Sequence, residues 1–177
     1  MYSKNIFFKD YQKGVAAVEF SLIAILFFGI LFACFEFGRM LYVFNTMQEV
    51  TRRATREATI RWVDEAPLIK KLALFGGTAI PAGAEVTDAN IVIEYLDRSG
   101  AVISDSLLPI DPADNLSACN DATRLGSCIT SVRVSINNAS YQTMVGLLIK
   151  KFNFPSAIPL PRSSMTAYAE SLGFSAN

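Results

Sequence analysis

The chain has 177 residues, 51% of them hydrophobic, with 16 basic and 16 acidic side chains and no histidine. Its length suits one domain plus an anchor or tail. The zero formal charge gives no case for a nucleic-acid partner, and without histidine the commonest general base and the commonest zinc ligand are both absent.

Residues Met1 to Lys13 are short and polar-aromatic, with Lys4, Lys9 and Lys13 against Asp10. This is the composition of a cytoplasmic flank to a membrane segment. From Val15 to Phe35 the only charged side chain is Glu19. As a helix this stretch is about 30 Å long, the thickness of a bilayer's hydrocarbon core. An apolar helix of that length is predicted to cross a membrane. Arginines also follow it, at Arg39, Arg52, Arg53 and Arg56, so the basic flanks do not fix its orientation. Glu19 is costly there, by up to about 2.5–3.5 kcal/mol at mid-membrane. Near a helix start the cost falls, because the helix dipole favours negative charge. The run Leu31 to Cys34 has the outline of a lipobox, but Phe32 fits it poorly and the apolar stretch is long for a secretory signal.

The helical pattern continues through Phe35–Phe44, then turns amphipathic from Asn45 to Trp62. Val43, Met47, Val50, Ala54 and Ala58 fall at spacings of three and four and make one narrow stripe, offered to a packing partner. Glu49 with Arg53, and Glu57 with Arg61, have the favourable i,i+4 order, and the basic run reads as a solvated face. Together these parts predict one helix of about 45 residues, roughly 65–70 Å long, with Pro67 as its latest end.

The remainder reads as a small α+β domain. Leu68–Phe75 is predicted as a short helix ended by Gly76 and Gly77. Asn90–Leu96 and Ala101–Ser104 flank Asp-Arg-Ser-Gly as a hairpin, and Ser131–Asn137 alternates with Val132, Val134 and Ile136 inward. Tyr141–Lys151 suits an amphipathic helix, Phe154–Pro161 a rigid linker, and Ser164–Glu170 a last strand. Charge is uneven: Leu72–Asp121 holds eight acidic residues and one basic, Ala122–Asn177 five basic and one acidic. Cys119 and Cys128 read as a local disulfide if the domain faces an oxidising compartment, and otherwise as two buried thiols. Cys34, within the apolar helix, behaves as a small hydrophobe. The long loop from Leu107 to Cys128 carries Asp111, Asp114 and Asp121 without EF-hand spacing, and reads as a solvated acidic loop rather than a calcium site.

The run Lys13 to Phe20, K-G-V-A-A-V-E-F, resembles a prepilin-type signal. Taken with E-F-G-R (Glu36–Arg39) and the helix N-T-M-Q-E-V-T-R-R-A-T-R-E-A (Asn45–Ala58), it is similar to the TadE-like pseudopilins of tight-adherence (Tad/Flp) pili. The cysteine pair before an alternating strand and the proline-rich approach to the last strand resemble that family too.

That resemblance implies a leader (residues 1–14) cut after Gly14 by a prepilin peptidase, which leaves Val15 as an ammonium. It implies that Glu19 pairs with the N-terminal amine of a neighbouring subunit, two charges compensating each other. Residues 15–43 would be the membrane half of the helix, 44–66 its amphipathic continuation, and 67–177 an extracytoplasmic α+β domain. The implied fold is a long pilin-like helix packed on a small antiparallel sheet. The implied place is the bacterial inner membrane, with the N-terminus cytoplasmic and the domain periplasmic or carried into a pilus.

The expected partners are the peptidase, other pilin or pseudopilin subunits and membrane lipid. Helix contacts would run through Ala16, Ala17, Ala24 and Gly29, where small residues allow close approach, and through Met47, Val50, Ala54 and Ala58. No cofactor, metal, nucleic acid or catalytic site is expected. The competing reading is an uncleaved single-pass protein whose outer domain binds a secretion or envelope partner.

Overall fold

In the computed structural model α1 runs without a break from Tyr11 to Ile60, 50 residues. The structure describes residues 11–81, 83, 85–144 and 156–173, with side chains from Gly14 onward. The chain divides into two units, Met1–Met40 and Leu41–Asn177, and α1 contributes to both.

In the first unit the apolar side chains face outward. Phe20, Ile25 and Phe35 keep 74%, 70% and 69% of their surface uncovered. The segment Gly14–Ile60 contains a window with mean hydropathy 2.5 and no burial within the structure. Such a helix is long and apolar enough to cross a membrane, and the described residues do not cover its side chains. The one hydroxyl in this run turns inward on the backbone: Ser21 Oγ donates to the Val18 carbonyl at 2.8 Å.

The second unit is built on the last turns of α1. Val43, Met47, Val50, Ala54 and Ala58 are all buried, and the chain's own domain covers the stripe that sequence spacing offered to a partner. Sequence reasoning missed the threonines beside it: Thr51, Thr55 and Thr59 are buried as well. Thr51 Oγ1 donates to the Met47 carbonyl (3.0 Å), Thr55 Oγ1 to Thr51 (2.8 Å) and Thr59 Oγ1 to Arg56 (2.8 Å). With each hydroxyl satisfied by the preceding turn, the methyl groups are free to pack.

The helix ends at Ile60 because the end of the domain caps it. The Thr59 carbonyl accepts from the amides of Glu170, Ser171 and Leu172 at 3.2–3.3 Å, and the Ile60 carbonyl from Gly173 at 2.8 Å. These are carbonyls that a helix C-terminus leaves unpaired. Gly173 has φ +77°, and a Cβ there would stand 3.2 Å from the Trp62 nitrogen, so glycine is required twice over.

After α1 come α2 (Ala66–Ala73), β1 (Ile91–Leu96), α3 (Pro112–Asn120), β2 (Ser131–Ile136), β3 (Ser140–Gln142), β4 (Ala157–Pro159) and β5 (Ser163–Tyr168). The main sheet is antiparallel with order β1-β2-β5, and β3 pairs with β4 in a second, two-stranded ladder. Val132, Val134 and Ile136 are buried as the alternation predicts. On one side they pair with Tyr95, Ile93 and Ile91 of β1, on the other with Ala167, Met165 and Ser163 of β5. Ser163 Oγ meets Thr51 Oγ1 at 3.0 Å, which puts this face of the sheet toward α1. The fold is α+β: a long N-terminal apolar helix followed by a small antiparallel-sheet domain.

Four local expectations change. The segment expected as the hairpin's second strand, Ala101–Ser104, is reduced to one bridge between Val102 and Leu96, and β1 takes β2 as its partner over its whole length. Ser140–Gln142, expected to open a helix at Tyr141, is strand; the rest of that expected helix, 145–151, lies outside the described residues. The proline-rich linker contains β4, since proline is tolerated where its missing N–H is not needed for pairing. The long acidic loop contains α3, with Asp111 as N-cap and Pro112 in the first turn.

Tyr95 is buried and its hydroxyl finds no hydrogen-bond partner among the described residues. Burial, with Asp64 adding to it, pushes the phenol up to about 12 from 10.0. The fold therefore favours the neutral phenol. Its contribution is fully present below pH 10.0 and is lost as pH rises toward about 12. Tyr95→Phe is expected to change stability at neutral pH by less than about 0.5 kcal/mol and to remove part of the alkaline loss, measured by thermal unfolding across pH. Ala54→Leu, which forces extra methylenes into a fully buried position, is expected to cost about 1–3 kcal/mol in the same measurement.

Candidate assembly surface

Gly14 lies in the first turns of α1, with nothing within 4 Å of the position a Cβ would occupy. The Gly14–Val15 peptide is thus helical, with no other described residue against the glycine. Glycine costs about 1 kcal/mol relative to alanine inside a helix. Val15 is exposed.

Glu19 sits one turn further on, exposed, between Val18 and Phe20, which are exposed too. It makes no ion pair or side-chain hydrogen bond with another described residue. The arrangement is a carboxylate without a counter-charge among the described residues, on an all-round apolar helix. Such a group calls for a cation from outside the described chain or for water.

Ala16, Ala17 and Gly29 are exposed and Ala24 is half-buried. Their positions do not form one stripe. At about 100° per residue, Ala17 and Ala24 share a side, Ala16 lies roughly 100° away and Gly29 about 120° round the other way. These small residues can therefore receive more than one neighbouring helix, but not all of them the same one. Met47, Val50, Ala54 and Ala58, by contrast, are buried in the second unit and have no surface left for a partner.

Beyond the stripe α1 carries its ion pairs as the spacing predicts: Arg53 to Glu49 at 2.9 Å and Arg61 to Glu57 at 2.8 Å. Arg61 also reaches Glu65 at 2.9 Å. The Arg53 hydrogen bond, with Arg52 close by, holds the Glu49 carboxyl below its ordinary value. Arg53 also lies over the Phe75 ring, 4.3 Å from its centre.

Cys119 and Cys128 are joined in a disulfide, Cα to Cα 4.7 Å, and Cys34 is a free, exposed thiol. The disulfide is one of two ties between α3 and the start of β2. In the other, Asn115 Oδ1 accepts from the Ile129 amide at 2.8 Å and its Nδ2 donates to the Ile129 carbonyl at 3.4 Å. The loop carboxylates are occupied by the chain. Asp111 Oδ1 accepts from the Asp114 amide, Asp114 pairs with Arg124 at 2.9 Å, and Asp121 Oδ1 accepts from the Thr123 amide and hydroxyl. The Arg124 hydrogen bond holds the Asp114 carboxyl low, and the Thr123 hydroxyl does the same for Asp121. Among the described residues no group of three cysteine or carboxylate side chains is placed to hold a metal.

The comparisons bear on the helix. Residues 14–56 match the family model described as TadE-like protein. No curated protein matches the chain, and no solved structure does. The matched stretch begins at Gly14, takes in Glu19 and the exposed apolar turns, and continues through the buried positions Val43 to Ala54. Over residues 14–56, well under half of its length, the chain is similar to TadE-like proteins.

Proposed function

We propose that the chain is a minor pseudopilin of a Tad/Flp pilus, held in the bacterial inner membrane by α1 with its domain on the periplasmic side. A prepilin peptidase cuts it after Gly14. The new Val15 ammonium of one subunit then lies against Glu19 of its neighbour, and this charge pair sets the axial register between packed helices. Ala17 with Ala24 on one side, and Gly29 on another, allow close approach of neighbouring subunits in the membrane.

The observation that carries the reading is Glu19: a carboxylate without a partner among the described residues, on an apolar helix, at the fifth position counted from Val15. A charge on an apolar helix, costing up to about 2.5–3.5 kcal/mol at mid-membrane and less near the helix start, points to compensation on assembly. The disulfide supports an oxidising compartment for the domain. The role is one of assembly and, through the pilus, adhesion.

Processing is expected to remove residues 1–14, seen by intact mass of protein taken from its native membrane. Mutating Gly14 is expected to leave the full mass. Glu19→Ala is expected to be cut normally yet fail to support pilus assembly; normal piliation in that variant contradicts the register role. An intact mass that retains Met1 favours the uncleaved, single-pass binding protein instead.

A further inference from the structure

Strand β5 is an edge. In the β1-β2-β5 sheet its inner side pairs with β2 over six residues, and among the described residues no strand pairs with its outer side. The pairing pattern tells which groups are left over. The Ile103 amide donates to the Tyr95 carbonyl, so Tyr95 turns its polar groups away from β2. Its partner Val132 therefore turns toward β5 and bonds Ala167. The Ala169 amide, which donates to the Thr130 carbonyl, keeps the same phase. By alternation Met165 and Ser163 are bonded inward too. Ser164, Thr166 and Tyr168 point their N–H and C=O groups outward.

Natural edge strands are commonly blunted by charge, proline or a bulge. β5 has none of these: its sequence is Ser-Ser-Met-Thr-Ala-Tyr, in unbroken register with β2. Tyr168 keeps 84% of its surface uncovered. Between β5 and α1 lies an open cleft of about 800 Å³, with Met165 and Ala167 of the strand on one side and Arg52 and Arg56 of the helix on the other.

The cleft is lined by Arg52, Arg53 and Arg56 against Glu49, Glu57 and Glu170, and the ion pairs decide which charges are left over. Glu49 is held by Arg53 and Glu57 by Arg61. Arg52 has only the shared Glu49, at 3.5 Å, and Arg56 has no ion pair among the described residues. Glu170 lines the same cleft, past the end of β5.

We propose that the outer edge of β5 receives an extended segment of a partner protein as an added strand. Its residues facing the cleft alternate between apolar, over Met165, and acidic, against Arg52 and Arg56. Main-chain hydrogen bonds to Ser164, Thr166 and Tyr168 supply affinity and the arginines supply selectivity. A second copy of this chain is the poorer occupant, because pairing β5 with itself brings two Arg52–Arg56 rims together. The surface belongs to the domain and does not rest on cleavage after Gly14.

The test uses the full chain in detergent micelles and a fluorescein-labelled synthetic peptide of repeated Asp-Thr-Val-Thr, with Lys-Thr-Val-Thr as its counterpart. Anisotropy is expected to show saturable, salt-sensitive binding of the aspartate peptide and none of the lysine peptide. Hydrogen exchange is expected to slow at the amides of Ser164, Thr166 and Tyr168 on binding, with those of Met165 and Ala167 unchanged. Thr166→Pro, which removes an outward N–H and leaves the pairing with β2 intact, is expected to abolish that protection. The double variant Arg52→Glu/Arg56→Glu is expected to lose about tenfold in affinity for the aspartate peptide and to gain binding of the lysine peptide. Equal binding of both peptides, no binding, or binding without protection at the three amides overturns the proposal. Spontaneous cross-linking of Thr166→Cys into a disulfide dimer without peptide overturns it too, in favour of a second copy.

Discussion

A helix satisfies its backbone hydrogen bonds within itself, so one unbroken helix can pass from lipid into water with only its side chains changing. The arrangement of α1 depends on that property. Up to Phe37 its large apolar side chains are exposed around the helix, and from Val43 only one face is apolar and that face is buried. Nothing in the backbone marks the change: the helix is continuous from Tyr11 to Ile60. In the proposed setting the first part is solvated by lipid and by neighbouring helices, the second by the chain's own sheet.

The second part also explains why the domain closes on itself. The small side chains Ala54 and Ala58 and the threonines Thr51, Thr55 and Thr59 are buried on this part of α1. The final segment then returns to the helix end, where its amides meet the Thr59 and Ile60 carbonyls. The C-terminal residues of the domain and the last turn of α1 thus complete each other, and Gly173 is the residue that allows the approach.

Much of this was legible in the sequence where a period is strong and uninterrupted. The stripe from Val43 to Ala58, the i,i+4 ion pairs and the alternation of Val132, Val134 and Ile136 all stand as read. What covers the stripe was not legible, because spacing shows that a face is buried and not by what; the chain's own domain covers it. Thr51, Thr55 and Thr59 escaped notice because a threonine counts as polar unless its hydroxyl bonds back to the preceding turn. The short strands β3 and β4 were hidden by proline and by length, since a three-residue ladder has too little alternation to separate from a linker. Helix α3 was concealed by its acidic composition, although Asp111 followed by Pro112 is a start signal that a closer reading of caps would catch. For the assembly surface, Glu19 stands out in the sequence by chemistry and Gly14 only through the resemblance, and the structure adds that Glu19 has no partner among the described residues.

The most direct test of the central claim is a nitroxide accessibility scan along α1 in lipid vesicles, one label at a time from Val18 to Ala58, with Cys34 replaced. The account predicts high collision with oxygen and little with an aqueous nickel chelate at every position through Phe37. It then predicts a 3.6-residue period in which Val43, Met47, Val50, Ala54 and Ala58 are reached by neither. Nickel access between Phe20 and Phe35, or a buried face that repeats along the whole helix, contradicts it.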